Sequence, residues 1–285
     1  MRSIAGHIDP ASIAAQIRME RQVHRGSFLL VEGSTDAKRI EKFIDPASCS
    51  LVNCYGKTNV VDAIELMEDI GLEDCIGMID ADFDRITGNL VAQSSVVVSA
   101  LHDFDLDHSL TPVIERYLAE VADQGKLAAV GGTRVFVDSL LIALKPLSLL
   151  RYANELRNLR YALNDLPLDE FFDGCSIDVP KMIEAVSKGR YGNREAKDRL
   201  KGEIDQLIPL NFDLLQLTNG HDFLAALGIA LRDRIGNRRA PQTWRSEVEM
   251  HIRFGLTRDD FATTAAYQSI RSWEQASSGL RVLAH

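Results

Sequence analysis

Cysteine is scarce in this 285-residue chain: Cys49, Cys54, Cys75 and Cys175 are the whole complement, and no two form a Cys-x-x-Cys pair. That argues against zinc ribbons and disulfide scaffolds. With three of the four in or beside apolar stretches, buried thiols in a reducing compartment are expected. Long hydrophobic runs are also missing. No stretch approaches the roughly 20 apolar residues of a membrane span, and the first ten residues lack the apolar core of a secretory signal. A soluble cytoplasmic protein with no membrane partner is therefore expected. Internal repeats and low-complexity linkers are absent as well.

A basic surplus is the next thing lacking. Lys and Arg number 32 against 41 Asp and Glu, a net charge of −9. The imbalance is local: residues 1–130 carry 11 basic against 21 acidic side chains, whereas 131–285 carry 21 against 20. Tight non-specific duplex binding is disfavoured. A nucleic-acid substrate is not, because a bound divalent cation would cancel part of the acidity and the Arg-bearing stretches 151–160 and 232–239 could meet phosphates locally.

What is present is acid placed at the ends of apolar runs. Residues 28–36 read Phe-Leu-Leu-Val-Glu-Gly-Ser-Thr-Asp, and residues 75–84 read Cys-Ile-Gly-Met-Ile-Asp-Ala-Asp-Phe-Asp. Each run has the pattern of a strand buried on both faces. One delivers Glu32 and, past a Gly turn, Asp36; the other delivers Asp80, Asp82 and Asp84. If the two strands are neighbours, up to five carboxylates converge, an arrangement that is unfavourable unless a cation neutralises it. A divalent metal site follows as the economical explanation. Alternate residues of an extended segment point the same way, so Asp80, Asp82 and Asp84 are expected to share an oxygen-rich face suited to Mg²⁺ or Mn²⁺. Blander readings stay open: Glu32 could cap the following helix, Asp36 could answer that helix's dipole, and the Asp triplet could be an acidic solvated loop. The Gly and Glu of an EF-hand are missing at the required offsets.

Two further stretches carry candidate residues. Tyr55-Gly56-Lys57-Thr58-Asn59 lacks the upstream Gly of a nucleotide P-loop, yet a Gly-Lys turn opening a helix can hold a substrate phosphate, with Lys57 as a point charge. An ordinary turn is the competing reading. In His102-Asp103-Phe104-Asp105-Leu106-Asp107-His108, most of the acids are expected in a solvated loop, with Asp105 as the one extra site carboxylate. No histidine pair has metal-ligand spacing.

Alternation of strands (28–32, 50–54, 75–80, 95–99) with helical patterns, including one across 109–121, predicts a parallel α/β sheet with flanking helices. Ligands of such sheets bind at the carboxyl ends of the strands. Long amphipathic segments follow at 137–161, 180–207, 220–235 and 257–276, separated by turn signals at Asp173-Gly174, Asn219-Gly220, Gly236-Asn237 and Pro241. The expected division is an N-terminal segment 1–26, an α/β domain 27–130 and a mainly helical region 131–285.

Strand-Glu-Gly-x-x-Asp, then Gly-Lys-x-Asn-Val, then strand-Asp-x-Asp-x-Asp resembles the toprim domain of topoisomerases, bacterial primases and nucleases of the overcoming-lysogenization-defect (OLD) type. The chain is most similar to the toprim nuclease family of PARIS-type anti-phage defence systems, the likeness reaching Asn219-Gly220-His221-Asp222-Phe223 and Arg271-Ser272-Trp273-Glu274. The resemblance implies a Rossmann-like parallel sheet followed by helices, with Glu32 as general acid or base and Asp80 and Asp82 holding Mg²⁺. It also implies an effector restrained by an ABC-type ATPase partner, released when a phage protein is sensed, and then acting as a homodimeric nuclease on RNA, with tRNA the expected target. Asp84, Asp36 and Lys57 would assist at the site. Where the family tends to place a Glu after the fourth strand, this chain offers the shorter Asp105. The alternatives are a catalytically silent partner-binding subunit, a DNA-directed nuclease of the OLD type, and a primase-like transferase, the last weakened by the missing zinc-binding cysteines and basic surplus.

Overall fold

The computed structural model describes residues 8–188, 194–236, 238–277 and 279–284. The chain forms two compact units, one of residues 1–81, 89–104 and 258–285 and the other of 82–88 and 105–257. This differs from the linear division at 26/27 and 130/131: residues 105–130 belong with the second unit, and the last 28 residues return to the first.

The first unit is built on a four-stranded parallel sheet, β1 (Ser27–Val31), β2 (Cys49–Asn53), β3 (Cys75–Ile79) and β4 (Val96–Val98), in the order β2-β1-β3-β4. Every residue of β1 and β3 is buried, the burial that continuous apolar runs predict for central strands. Helix Lys57–Asp69 turns Val60, Ala63, Ile64 and Met67 inward. Its close approach depends on Gly77 of β3, where a Cβ would lie 2.7 Å from Val60 Cγ1. The helix opens at Lys57 with Gly56 as its cap, two residues before Thr58, the capping residue that the sequence pattern offers.

An element absent from the sequence reading, helix Pro10–Glu20, packs Ile13 and Ile17 into the same core. Asp9 caps it by accepting from Ser12 N at 2.8 Å, and Pro10 occupies the first turn, where its missing N–H costs nothing. Residues 1–7 of the expected 1–26 segment lie outside the described residues.

The carboxyl-terminal stretch closes onto the unit. Phe43 stacks on Phe261 with ring centroids 4.5 Å apart, and Ile44 bridges Leu283 in antiparallel fashion. Glu274 Oε1 accepts from the backbone N–H groups of Val282 and Leu283 at 2.7 and 2.8 Å, while its other oxygen takes 2.7 Å from Arg271. The Arg-Ser-Trp-Glu stretch is thus a clasp for the tail.

The second unit contains helices Gly132–Leu156, Val179–Val186, Arg194–Leu207, Gly220–Asp233 and Arg245–Gly255, with shorter turns between them. The expected continuous segment 180–207 is therefore two helices, with 189–193 outside the described residues, as is Asn237 of the Gly236-Asn237 turn. Asn219 caps helix Gly220–Asp233 by accepting from His221 and Asp222 N, Arg151 holds Asp222 through Nε and Nη2 at 2.5 and 2.7 Å, and Phe223 is fully buried. The Asn-Gly-His-Asp-Phe stretch thus has a cap, a paired acid and a core residue. Among the described residues, no helix is long and apolar enough to cross a membrane.

Candidate functional site

Because β1 and β3 are hydrogen-bonded neighbours and the strand order reverses between them, their carboxyl ends form the crevice where open α/β sheets bind ligands. Glu32 and Asp80 are the residues immediately after these two strands. They are joined directly: Glu32 Oε1 accepts the Asp80 backbone N–H at 2.7 Å. The Glu32 carbonyl accepts from Gly56 N at 2.9 Å, which draws the Gly-Lys turn to the same edge. Lys57 Nζ then donates to the Ala81 carbonyl at 3.3 Å. The third strand end is fixed from the other side, where Ser99 Oγ accepts from Ala81 N at 2.8 Å.

Asp80 is half-buried, and its Oδ1 accepts from Phe104 N at 2.9 Å. Burial pushes its pKa well above the usual carboxylate range, and the charges of Asp103, Asp36 and Glu32 push it further, against the opposing pull of the Phe104 hydrogen bond. The crowding that the sequence suggested is therefore centred on Asp80. Asp36 enters it from helix Ser34–Ile40 with Arg39 Nη1 at 2.8 Å, so its charge has a partner within its own helix.

Asp103 is the member that sequence reasoning passed over in favour of Asp105. The expectation of a solvated loop is corrected here: Asp103, Asp105 and Asp107 are all buried, as are His102 and His108. Helix Phe104–Ser109 starts directly after Asp103, and a helix rotates about 100° per residue, so strand-like alternation could not rank these acids. Asp105 lies in the second unit, its Oδ2 3.5 Å from His221 Nδ1.

The extended face expected for Asp80, Asp82 and Asp84 is corrected too. Asp82 sits in the left-handed region at φ 50°, a conformation that Asp tolerates better than most residues. Asp84 opens the helical turn Asp84–Thr87. Between them Phe83 is buried with Leu149, Tyr152 and Leu217 of the second unit, its ring 5.2 Å from that of Tyr152. Burial of this aromatic turns the chain out of the strand direction, so period-2 alternation ends at Asp80. Asp82 and Asp84 are both half-buried.

The donor chemistry of this edge, carboxylate oxygens around an acid whose charged form is disfavoured, suits a hard divalent cation. Among the described residues, no group of three or more His, Cys, Asp or Glu side chains is gathered as a metal-binding set. Several carboxylate oxygens are instead engaged by Asp80 N, Phe104 N and Arg39.

The arginine stretches are partly committed to the second unit itself. Arg232 pairs with Asp233 at 2.9 Å, Arg157 Nε lies 3.5 Å from Glu203, and Arg238 donates to the Val121 and Glu120 carbonyls. No protein-family model matches the chain, and no curated protein matches it significantly.

Proposed function

We propose that this chain is a toprim-type, Mg²⁺-dependent nuclease that hydrolyses phosphodiester bonds. The observation supporting this reading is the direct Glu32–Asp80 contact at the β1/β3 crevice, within a cluster of acids that disfavours the Asp80 charge. Asp80 and Asp82 would hold the ion, Asp36, Asp84 and Asp105 being the remaining candidate ligands, and Glu32 the ligand of a second one. When bound, Mg²⁺ or Mn²⁺ would polarise the phosphoryl oxygens and promote ionisation of water. The chain's own contribution is orientation and proton transfer. Glu32, held against Asp80 N through Oε1, would take a proton from the attacking water. Lys57 supplies a positive point charge for the phosphate.

On the family resemblance, the substrate is RNA, with tRNA the expected target. The setting is anti-phage defence, with an ABC-type ATPase partner as restraint and a homodimer as the active form. A second reading, a silent partner-binding subunit, is favoured by the engagement of the carboxylates with backbone N–H groups and Arg39. Incubating the purified chain with Mg²⁺ and total RNA, and in parallel with DNA, separates the readings. Cleaved RNA supports the proposal, cleaved DNA alone points to the OLD-type alternative, and no product on either overturns nuclease activity.

A further inference from the structure

Residues of the second unit alone line an open-sided cavity of about 410 Å³. Aromatic rings form part of its wall, with Val121, Leu231 and Pro241 beside them. The Tyr117 and His251 rings lie with centroids 6.1 Å apart and planes tilted by 38°, and Trp244, which also lines the cavity, is 60% exposed. The wall is held in place by Gly228: a Cβ there would fall 2.0 Å from the Thr243 carbonyl oxygen, so only Gly lets the 240–243 turn lie on helix Gly220–Asp233. That approach delivers Trp244 as the cap of helix Arg245–Gly255 and puts Glu247 in its first turn.

Among the described residues, the Tyr117 hydroxyl, the Glu247 carboxylate and the His251 ring have no hydrogen-bond partner. Burial pushes the Tyr117 phenol up to about 12, so it remains a neutral donor. Arg238 is anchored by Nε and Nη2 on the Val121 and Glu120 carbonyls at 3.1 and 3.2 Å, and a guanidinium's five N–H donors leave others for a ligand.

The exposed Trp244 ring is a platform on which a flat nucleobase can stack. A carboxylate only accepts hydrogen bonds, and guanine is the common base that offers two adjacent N–H donors, N1–H and N2–H, on one edge. The Arg238 charge disfavours a cationic occupant and favours a phosphate. We propose that this cavity binds a guanine nucleotide, with the base stacked on Trp244, its Watson–Crick edge on Glu247 and its phosphate towards Arg238. The shared chemistry covers a free nucleotide and a guanosine within an RNA strand, and it stands independently of the nuclease reading.

The test is calorimetric titration of the full chain with GMP, AMP, CMP and UMP, and with short single-stranded RNAs that contain or lack guanosine. GMP is expected to bind roughly tenfold or more tightly than the others. Trp244→Ala should abolish binding, and Glu247→Gln should erase the preference, because an amide offers one acceptor and one donor to guanine's two donors. A guanosine-containing strand that outcompetes GMP identifies a strand-reading pocket, and the reverse a free-nucleotide pocket. Equal affinity for all four nucleotides, no binding of any probe, or a guanine preference that survives Glu247→Gln overturns the proposal.

Discussion

Replacing Asp80 by Asn should stabilise the metal-free protein at neutral pH. The wild-type side chain is half-buried, and its pKa is raised by burial and by Asp103, Asp36 and Glu32. Its ionisation is therefore more costly in the folded chain than in the unfolded one, each unit of difference being worth about 1.4 kcal/mol. Asn retains an oxygen for the Phe104 N–H, losing only the charge assistance of that bond, on the order of 1 kcal/mol. Removing this poorly compensated charge should give a net gain, on the order of 1 kcal/mol, and a rise in Tm of a few degrees for a protein of this size. The size of the gain depends on pH. Below the unfolded carboxylate range both states of the wild type are protonated, and its Asp80 carries no penalty. As pH rises from there through the folded pKa, the unfolded chain releases its proton first, wild-type stability falls relative to the variant, and the gap then levels off. Thermal melts of both proteins in chelator, from acid to neutral pH, measure this. A lower Tm for Asp80→Asn at neutral pH, or a difference independent of pH, would mean that the Asp80 charge is not destabilising.

Gly77→Ala sets a Cβ 2.7 Å from Val60 Cγ1 and should cost about 1–3 kcal/mol; denaturant melts should show part of the loss recovered by adding Val60→Ala. Arg151→Met leaves Asp222 unpaired at a side-chain exposure of 10% and should cost about 3–5 kcal/mol, with much of it regained in Arg151→Met, Asp222→Leu. Burial raises the thiol pKa values of Cys49, Cys54 and Cys75 to about 11, 12 and 12, whereas Cys175 is exposed. A disulfide reagent should accordingly titrate one thiol quickly in the native protein and the remainder only on unfolding.

The strands and their terminal acids were legible because a buried parallel strand reads as an unbroken apolar run, and β1 and β3 each end where the first acid stands. The pairing of Glu32 with Asp80 needed only the further condition that these strands be adjacent, which the sheet order satisfies. Asp82 and Asp84 were harder. Their direction depends on a left-handed residue and on burial of Phe83 against helices more than 60 positions away in sequence, and no local periodicity carries that. Asp103 was obscured for a related reason, since the helix that begins at Phe104 replaces period-2 alternation. The return of residues 258–285 to the sheet unit rests on Phe43–Phe261 and Ile44–Leu283 contacts, which a linear reading of domain boundaries does not see. The first helix had its signals in Asp9-Pro10 and in the spacing of Ile13 and Ile17.

We propose that the carboxylates at the β1/β3 edge take a divalent cation. Calorimetric titration of Mg²⁺ into the wild type and into Asp80→Asn, Asp82→Asn, with melts of both proteins in parallel, tests it most directly. Saturable binding and a stabilisation approaching about 2.7 kcal/mol at a hundredfold excess over Kd are expected for the wild type, both lost in the double variant. Equal heats and equal melting shifts in the two proteins, or no binding to the wild type at millimolar Mg²⁺, would contradict it.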